Sequence, residues 1–376
     1  MVPVLVILGA LGFIASASSA PSATTVLVEA QYPTDLGALF LRGSDCGLSW
    51  DKGLLMDKSK ATEGYTYSLS VSCSATATQP LEVKVLIADD RWMLGANHFI
   101  PQHSNGTALY PWFFTYSGSL STISNVYSKE LNNFRDIIYY TPPSYSENTL
   151  KRYKNLLVMH DGQNLFNPQT SAFGTAWMCQ NTMDDLIIQG KSEEVVIAGA
   201  YNTASRVDEY TYIYDPSEGA GGEGDLYLDW LESTLLPLTQ LNYRVEIQRE
   251  TLGILGSSLG GLISCYAGWT RNVYGKVGCM SSSFWWDDGD FQKHVMLQQD
   301  PAVAGQSLPH IYMDSGTAEP PSTTVYVNQI YDYCLQDGFS TEEVCRYLDQ
   351  GGSHSESSWG PRFHIPIEYL YPAGSA

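Results

Sequence analysis

The chain predicts an α/β protein with a doubly wound, mostly parallel sheet, preceded by a small all-β sandwich domain. Three observations carry this. Before about residue 115, apolar and polar residues alternate with a period of two, and no helix-period segment of useful length occurs. From about Lys129, short apolar runs alternate with longer helix-compatible segments, which calls for crossover connections between parallel strands. Finally, the strand-like run 251–255 leads through Gly256-Ser257-Ser258-Leu259-Gly260 into a helix-like stretch. That is a sharp turn at the carboxyl end of a strand, where sites in such sheets lie.

At the N-terminus, residues 2–14 are almost wholly apolar, and residues 15–20 are only Ala and Ser. With Ala15-Ser16-Ala17 as an A-x-A site, this predicts a secretory signal peptide over 1–20. The expectation is a secreted protein with no membrane attachment after cleavage, since no other stretch is long and apolar enough to span a bilayer. Residues 24–115 form the expected sandwich. Tyr67, Leu69, Val71 and Cys73 alternate with Thr66, Ser68, Ser70 and Ser72, and Leu81, Val83, Val85 and Ile87 alternate with polar partners. The Ser-rich stretch that follows predicts a linker over 116–129. In the second unit, 130–372, the strand-like runs are 137–140, 156–159, 195–199, 251–255, 277–280 and 310–313. Candidate helices there include 225–240, 259–269 and 324–337.

Of the 376 residues 44% are hydrophobic, enough for two modest domain cores and too many for a disordered chain. Lys+Arg 20 against Asp+Glu 40 gives a formal net charge of -20. Such a field repels polyanions, so nucleic acid is not an expected partner and neutral substrates fit best. The 25 Tyr and 9 Trp supply rings that stack on sugars or fill cores. Seven Cys leave at least one unpaired within the chain. Cys46 could pair with Cys73, and Cys334 with Cys345; Cys179, Cys265 and Cys279 remain, and the connectivity stays open. No Cys has the spacing of a metal site, and neither a metal nor an organic cofactor is implied. Asn105-Gly106-Thr107 is an N-glycosylation acceptor.

A bare serine hydroxyl is a poor nucleophile at neutral pH and needs a base, an orienting acid and donors for the oxyanion. Ser258, in a strand-to-helix turn among Gly256, Gly260 and Gly261, is the candidate nucleophile; Ser257 breaks the glycine spacing. One oxyanion donor is expected at the Leu259 N–H. The other is expected at the Gln163 N–H, because Gly162 lets the chain turn sharply after 156–159. Among seven His, His354 is the candidate base, in the loop Gly351-Gly352-Ser353-His354. His160 is its rival, and His364, between Phe363 and Ile365, reads as packing. The acid falls between nucleophile and base in chain order, at Glu319 or at Asp314. Glu319 lies beyond a glycine turn and can point back at an imidazole, whereas Asp314 at the strand end can hold the loop.

These residues resemble the esterase D-like branch of the α/β-hydrolases over roughly residues 130–372. The likeness is carried by His160-Asp161-Gly162-Gln163-Asn164-Leu165-Phe166, Arg206 with Glu209-Tyr210, Tyr243-Arg244, Gly256 to Gly261, Ser283-Phe284-Trp285-Trp286, Asp314 to Glu319, and His354. The resemblance implies a serine carboxylic ester hydrolase with Ser258, Glu319 and His354 as its triad. In that branch the acid often stands as Asp where this chain has Glu319. Residues 24–115 resemble a starch-binding type carbohydrate module, through Leu41-Arg42-Gly43, Leu48 to Gly53, Lys84-Val85 and Asp90-Arg91-Trp92. That implies sugar stacking on Trp50 and Trp92, while a β-domain that only shapes the cleft is the other role open to it. Trp177, Trp285 and Trp286 are candidate cleft aromatics. The expected substrate is an acyl or feruloyl ester linked to a glycan. The alternatives are acyl transfer to a sugar acceptor, siderophore ester hydrolysis, and a non-catalytic glycan-binding protein.

Overall fold

The structure is a computed structural model that describes residues 24–74, 79–101, 106–298 and 308–374. The signal peptide expected over 1–20 and the acceptor Asn105 lie outside the described residues. The first unit is two small sheets. One pairs Asp57–Lys60, Tyr65–Cys73 and Thr24–Tyr32 antiparallel, with Thr107–Leu109 parallel at its edge. The other is built on Leu39–Gly43 and Leu81–Ile87. Alternation puts Val26, Val28 and Ala30 of one sheet and Leu81, Val83 and Val85 of the other in one buried core. A Cys46–Cys73 disulfide ties a loop to the first sheet. Trp50 and Trp92 stay outside this core: Trp50 is half-buried and Trp92 is 39% exposed.

The second unit is an eight-stranded sheet. Its strands are β1 (Ser119–Ser128), β2 (Asn133–Thr141), β3 (Asn155–Met159), β4 (Val195–Ala200), β5 (Leu252–Ser257), β6 (Lys276–Met280), β7 (His310–Gly316) and β8 (Val344–Asp349). The spatial order is β1-β2-β4-β3-β5-β6-β7-β8, antiparallel at β1/β2 and β2/β4 and parallel from there on. Every residue of β4 and β5 is buried, as central strands covered on both faces must be. The expected helix over 225–240 is realised as Gly224–Trp230, a π turn Leu231–Leu235 and Leu236–Asn242. The other two are Leu259–Thr270 and Pro321–Gln336.

The linker expected over 116–129 is a correction. Those residues include β1, an edge strand paired with β2 along most of its length. Its residues are mostly exposed because backbone hydrogen bonds, not apolar side chains, hold an edge strand. A second correction concerns cysteines. Cys334 and Cys345 are unpaired, as is Cys179, while Cys265 and Cys279 form a disulfide between the helix Leu259–Thr270 and β6. Among the described residues no helix is long and apolar enough to cross a membrane.

The two units meet around Glu147. Its carboxylate accepts hydrogen bonds from the Tyr32 hydroxyl (2.9 Å) and from the N–H groups of Phe113 (2.6 Å), Phe114 (2.9 Å) and Thr115 (2.8 Å). Asn148 donates to the carbonyls of Gln31 and Pro111, both at 2.9 Å. Four donors on one carboxylate fix where the sandwich joins the sheet. Glu147→Ala leaves three backbone donors unmet, and the expected cost is about 2 kcal/mol or more. Urea unfolding reads that loss, and faster protease cleavage near residues 111–116 locates it.

Candidate active site

Ser258 sits between β5 and the helix Leu259–Thr270 with φ 59° and ψ -122°, a conformation L-residues rarely adopt. Three hydrogen bonds hold it there. Its N–H donates to the Met280 carbonyl, and its carbonyl accepts from Leu262 and Ser283. The glycines are demanded by close approach. A Cβ on Gly256 would lie 2.7 Å from the Gly260 carbonyl carbon and from the His160 ring, and one on Gly261 would lie 2.3 Å from Ser282 Oγ. Gly260 is less crowded, with its nearest neighbour at 3.3 Å.

His354 lies in the loop between β8 and the helix Glu356–Arg362. Its Nε2 is 2.9 Å from Ser258 Oγ, and its Nδ1 is 3.1 Å from Glu319 Oε2. A carboxylate only accepts, so Nδ1–H donates to Glu319 and Nε2 accepts the Ser258 proton. The acid and base loops are bonded to each other. Thr317 N donates to the Asp349 carbonyl, Ala318 N to the Gly352 carbonyl, and Gly351 N to Thr317 Oγ1. The Trp359 and His354 rings pack nearly perpendicular to each other, with centroids 5.0 Å apart.

The two candidate acids differ in their partners. Glu319, whose side chain is fully buried, reaches the imidazole. Burial pushes its carboxyl up, but donors from His354, Ser281 and the Gly316 amide outweigh this and hold it below the usual range. Asp314 faces away, in a two-point pair with Arg362 at 2.8 and 3.0 Å. Burial raises its carboxyl despite that guanidinium.

His160, the rival, has both ring nitrogens engaged elsewhere. It is buried between the Tyr227 hydroxyl (2.8 Å) and Ser264 Oγ (3.0 Å), and burial lowers its imidazole to about 3. His364 was expected to pack, yet it is exposed, because the helix His364–Leu370 turns Ile367 and Leu370 inward instead. The Gln163 N–H lies in the short turn Gly162–Asn164 after β3, and the Leu259 N–H in the first turn of its helix. Among the described residues neither amide is bonded to a protein acceptor.

Beside Ser258 and His354 opens a cavity of about 370 Å³, walled by Phe173, Trp177 and Trp359 and by the polar Asn164, Arg206 and Glu356. Arg206 grips Asp161 at two points, 2.7 and 2.8 Å. Burial raises the Asp161 carboxyl, but Arg206 and Asn202 prevail and lower it. Glu356 and Phe173 were not singled out from the sequence: Glu356 is one carboxylate among many, and Phe173 lies in a loop without periodicity. Trp285 (39% exposed) and the buried Trp286 do not line this cavity.

Two outcomes are expected. Glu319→Gln should depress turnover by about a hundredfold or more, since the amide presents the wrong partner to Nδ1. Asp314→Asn should act mainly on stability, costing about 3 kcal/mol, because the buried Arg362 loses the carboxylate it holds at two points and keeps the less buried Asp349 at its Nη1. Steady-state rates and chemical denaturation separate the two. A third expected outcome is acid sensitivity. His160 is neutral when folded down to about pH 3, whereas the unfolded chain takes up this proton below the ordinary 6.5. Stability from this group is full above that value and is lost as pH falls toward 3, by about 1.4 kcal/mol per pH unit. His160→Gln should flatten the fall in urea midpoint over that window.

A family described as "Putative esterase" matches residues 128–365. The uncharacterized protein YbbA of Bacillus subtilis is 26% identical over 250 residues, covering 63% of this chain and 92% of YbbA. Among solved structures, the siderophore hydrolase EstA of Aspergillus nidulans superposes with a TM-score of 0.52 at 18% identity, covering 67% of this chain and 93% of that one. The enterobactin esterase FES of Shigella flexneri gives a TM-score of 0.52 at 13% identity and covers 92% of both chains. At these identities the likeness is one of fold.

Proposed function

The chain belongs to the esterase family whose match spans 128–365, and from that premise we propose that it is a secreted serine carboxylic ester hydrolase acting through an acyl-enzyme on acyl or feruloyl esters of carbohydrates. The observation that carries the reading is the continuous hydrogen-bonded series from Ser258 through His354 to Glu319 at the edge of a cavity. Ser258 Oγ attacks the ester carbonyl as His354 Nε2 takes its proton. Glu319 orients the imidazole and stabilises the imidazolium. The N–H groups of Leu259 and Gln163 receive the oxyanion. His354 then protonates the departing alcohol, and water, deprotonated by the same nitrogen, releases the acid.

The cleft supports an aromatic acyl group attached to a hydroxylated alcohol. Phe173, Trp177 and Trp359 bring aromatic rings to the wall, and Glu356, whose Oε1 takes the Asn164 amide at 3.2 Å, offers its second oxygen as an acceptor. Trp50 and Trp92, 6.2 Å apart and outside the sandwich core, are the proposed sugar-stacking pair, with Arg42 over the Trp92 ring. The two disulfides suit an oxidising, extracellular setting. Hydrolysis of a siderophore ester is the second reading, motivated by the fold likeness to the siderophore hydrolase EstA, while the one arginine in the cleft wall, Arg206, is already paired with Asp161.

The test is a panel of p-nitrophenyl acyl esters, feruloylated and acetylated oligosaccharides and enterobactin, given to wild type and Ser258→Ala with and without an added sugar acceptor. Wild type is expected to cleave at least one carbohydrate ester at a rate about 10³-fold or more above the variant. Equal rates for the two proteins sink the hydrolase reading, preference for enterobactin moves the substrate class, and acylated sugar in place of free acid marks a transferase. Trp50→Ala with Trp92→Ala should weaken retention on insoluble polysaccharide while leaving small-ester hydrolysis unchanged; retention equal to wild type removes the stacking role.

A further inference from the structure

Resting on the serine-hydrolase reading above, we propose that Ser281 is a positioning residue for the reaction, and that Arg362 and Trp359 make it one by dictating where its hydroxyl proton points. Ser281 follows β6, is fully buried and has φ 41°. Its N–H donates to both the carbonyl (3.1 Å) and Oδ1 (2.9 Å) of Asp314, which pins the backbone in place.

Three polar atoms surround Ser281 Oγ: Trp359 Nε1 at 2.9 Å, Arg362 Nη2 at 2.6 Å and Glu319 Oε1 at 2.5 Å. An indole N–H and a guanidinium can only donate. They occupy both lone pairs of the hydroxyl, so its one proton has a single acceptor left, Glu319 Oε1. The Gly316 N–H donates to that same oxygen at 2.9 Å. With two donors on Oε1, the carboxyl has no room for a proton there. The anion is favoured despite full burial, and Oε2 is left to His354.

Arg362 is fixed by its own partners. Its Nε and Nη2 lie on Asp314 and its Nη1 on Asp349 Oδ2 at 3.0 Å, so the guanidinium plane cannot swing away from Ser281. Trp359 supports acid and base at once, since the ring that donates to Ser281 also packs nearly perpendicular to the His354 ring. Asp314, Arg362 and Ser281 thus continue the catalytic series inward from Glu319 without touching substrate.

The experiment uses a fluorophosphonate, which reads serine activation without the natural ester. Ser258 Oγ bonds to phosphorus, fluoride leaves, and the hydroxyl proton passes to His354 Nε2. Labelling rates are measured from about pH 5 to 9 on wild type, Ser281→Ala and Ser281→Gly, alongside thermal unfolding. Both variants are expected to label about tenfold slower on the plateau, at a Tm lowered by the unmet Trp359 N–H but still above the labelling temperature. Their profiles should begin to fall at higher pH on the acid side, because Glu319 loses one of the donors that hold its carboxyl below the usual range and takes up a proton sooner. Glycine relieves the positive φ, so it keeps the test alive should the alanine variant fold poorly. A glycine variant with the wild-type rate and profile overturns the proposal, since relief of backbone strain would then be the whole effect. Equal rates and profiles in all three labelled proteins overturn it as well. Wild type that takes no label refutes instead the underlying serine-hydrolase reading, and the proposal falls with it.

Discussion

The contact between a fully buried carboxylate and a one-third exposed imidazole, Glu319 to His354, sets what the remaining structure has to supply. A loop histidine left to itself samples many rotamers, and a carboxyl removed from water favours its neutral form. Neither would assist a serine. The chain meets both conditions by bonding the two loops together. Gly316 and Gly352 approach so closely that a Cβ on Gly316 would lie 2.1 Å from the Gly352 carbonyl oxygen. Three further hydrogen bonds cross from 317–318 to 349–352. The imidazole is therefore placed by backbone, and only its ring orientation is left to side chains.

The same economy governs the candidate nucleophile. Ser258 belongs to β5 and its helix, yet it is fastened to the neighbouring strand. Its amide reaches Met280 at the end of β6, Ser283 reaches back to its carbonyl, and the Cys265–Cys279 disulfide ties that helix to β6. The strained turn is over-determined from two sides, which is how an unfavourable φ persists. Electrostatics show a parallel pattern. In a chain with a formal net charge of -20, three arginines stand against internal acids: Arg135 with Glu209, Arg206 with Asp161, and Arg362 with Asp314. Two of these pairs lie beside the candidate site, so scarce positive charge is placed where buried carboxylates would otherwise be neutralised.

What the sequence revealed is what local pattern encodes. The six apolar runs of the second unit fall on β2 to β7, and Ser258 could be placed because strand, glycines and helix are contiguous. Position 354 followed from its Gly-Ser loop, since glycine permits the approach to the acid turn that the fold requires. What escaped was non-local. β1 is an edge strand with exposed side chains, so it carries no apolar alternation and read as a linker. The pairing of Cys265 with Cys279 depends on how a helix lies over its neighbouring strand, which spacing does not reveal. Arg362, separated from Asp314 by 48 residues, looks like any basic residue at the end of a short helix. The pull of Gly261 on its surroundings, tighter than that of Gly260, appears only once Ser282 is seen against it.

The choice of Glu over Asp at 319 follows from the turn that carries it. Glu319 N donates to the Gly316 carbonyl, which closes a turn at the end of β7 and sets the backbone of the acid back from the imidazole. From there one carboxylate must span two tasks. Oε1 returns to its own turn to take the Gly316 N–H at 2.9 Å, while Oε2 reaches outward to His354 at 3.1 Å. An aspartate is shorter by one methylene, about 1.5 Å of reach. Held on this backbone, it could satisfy the turn or the histidine, and the other group would be left unpaired in a buried site. The longer side chain makes the acid part of its own supporting turn. That is why the carboxylate that meets His354 lies beyond the end of β7, while Asp314, within the strand, is free to anchor Arg362.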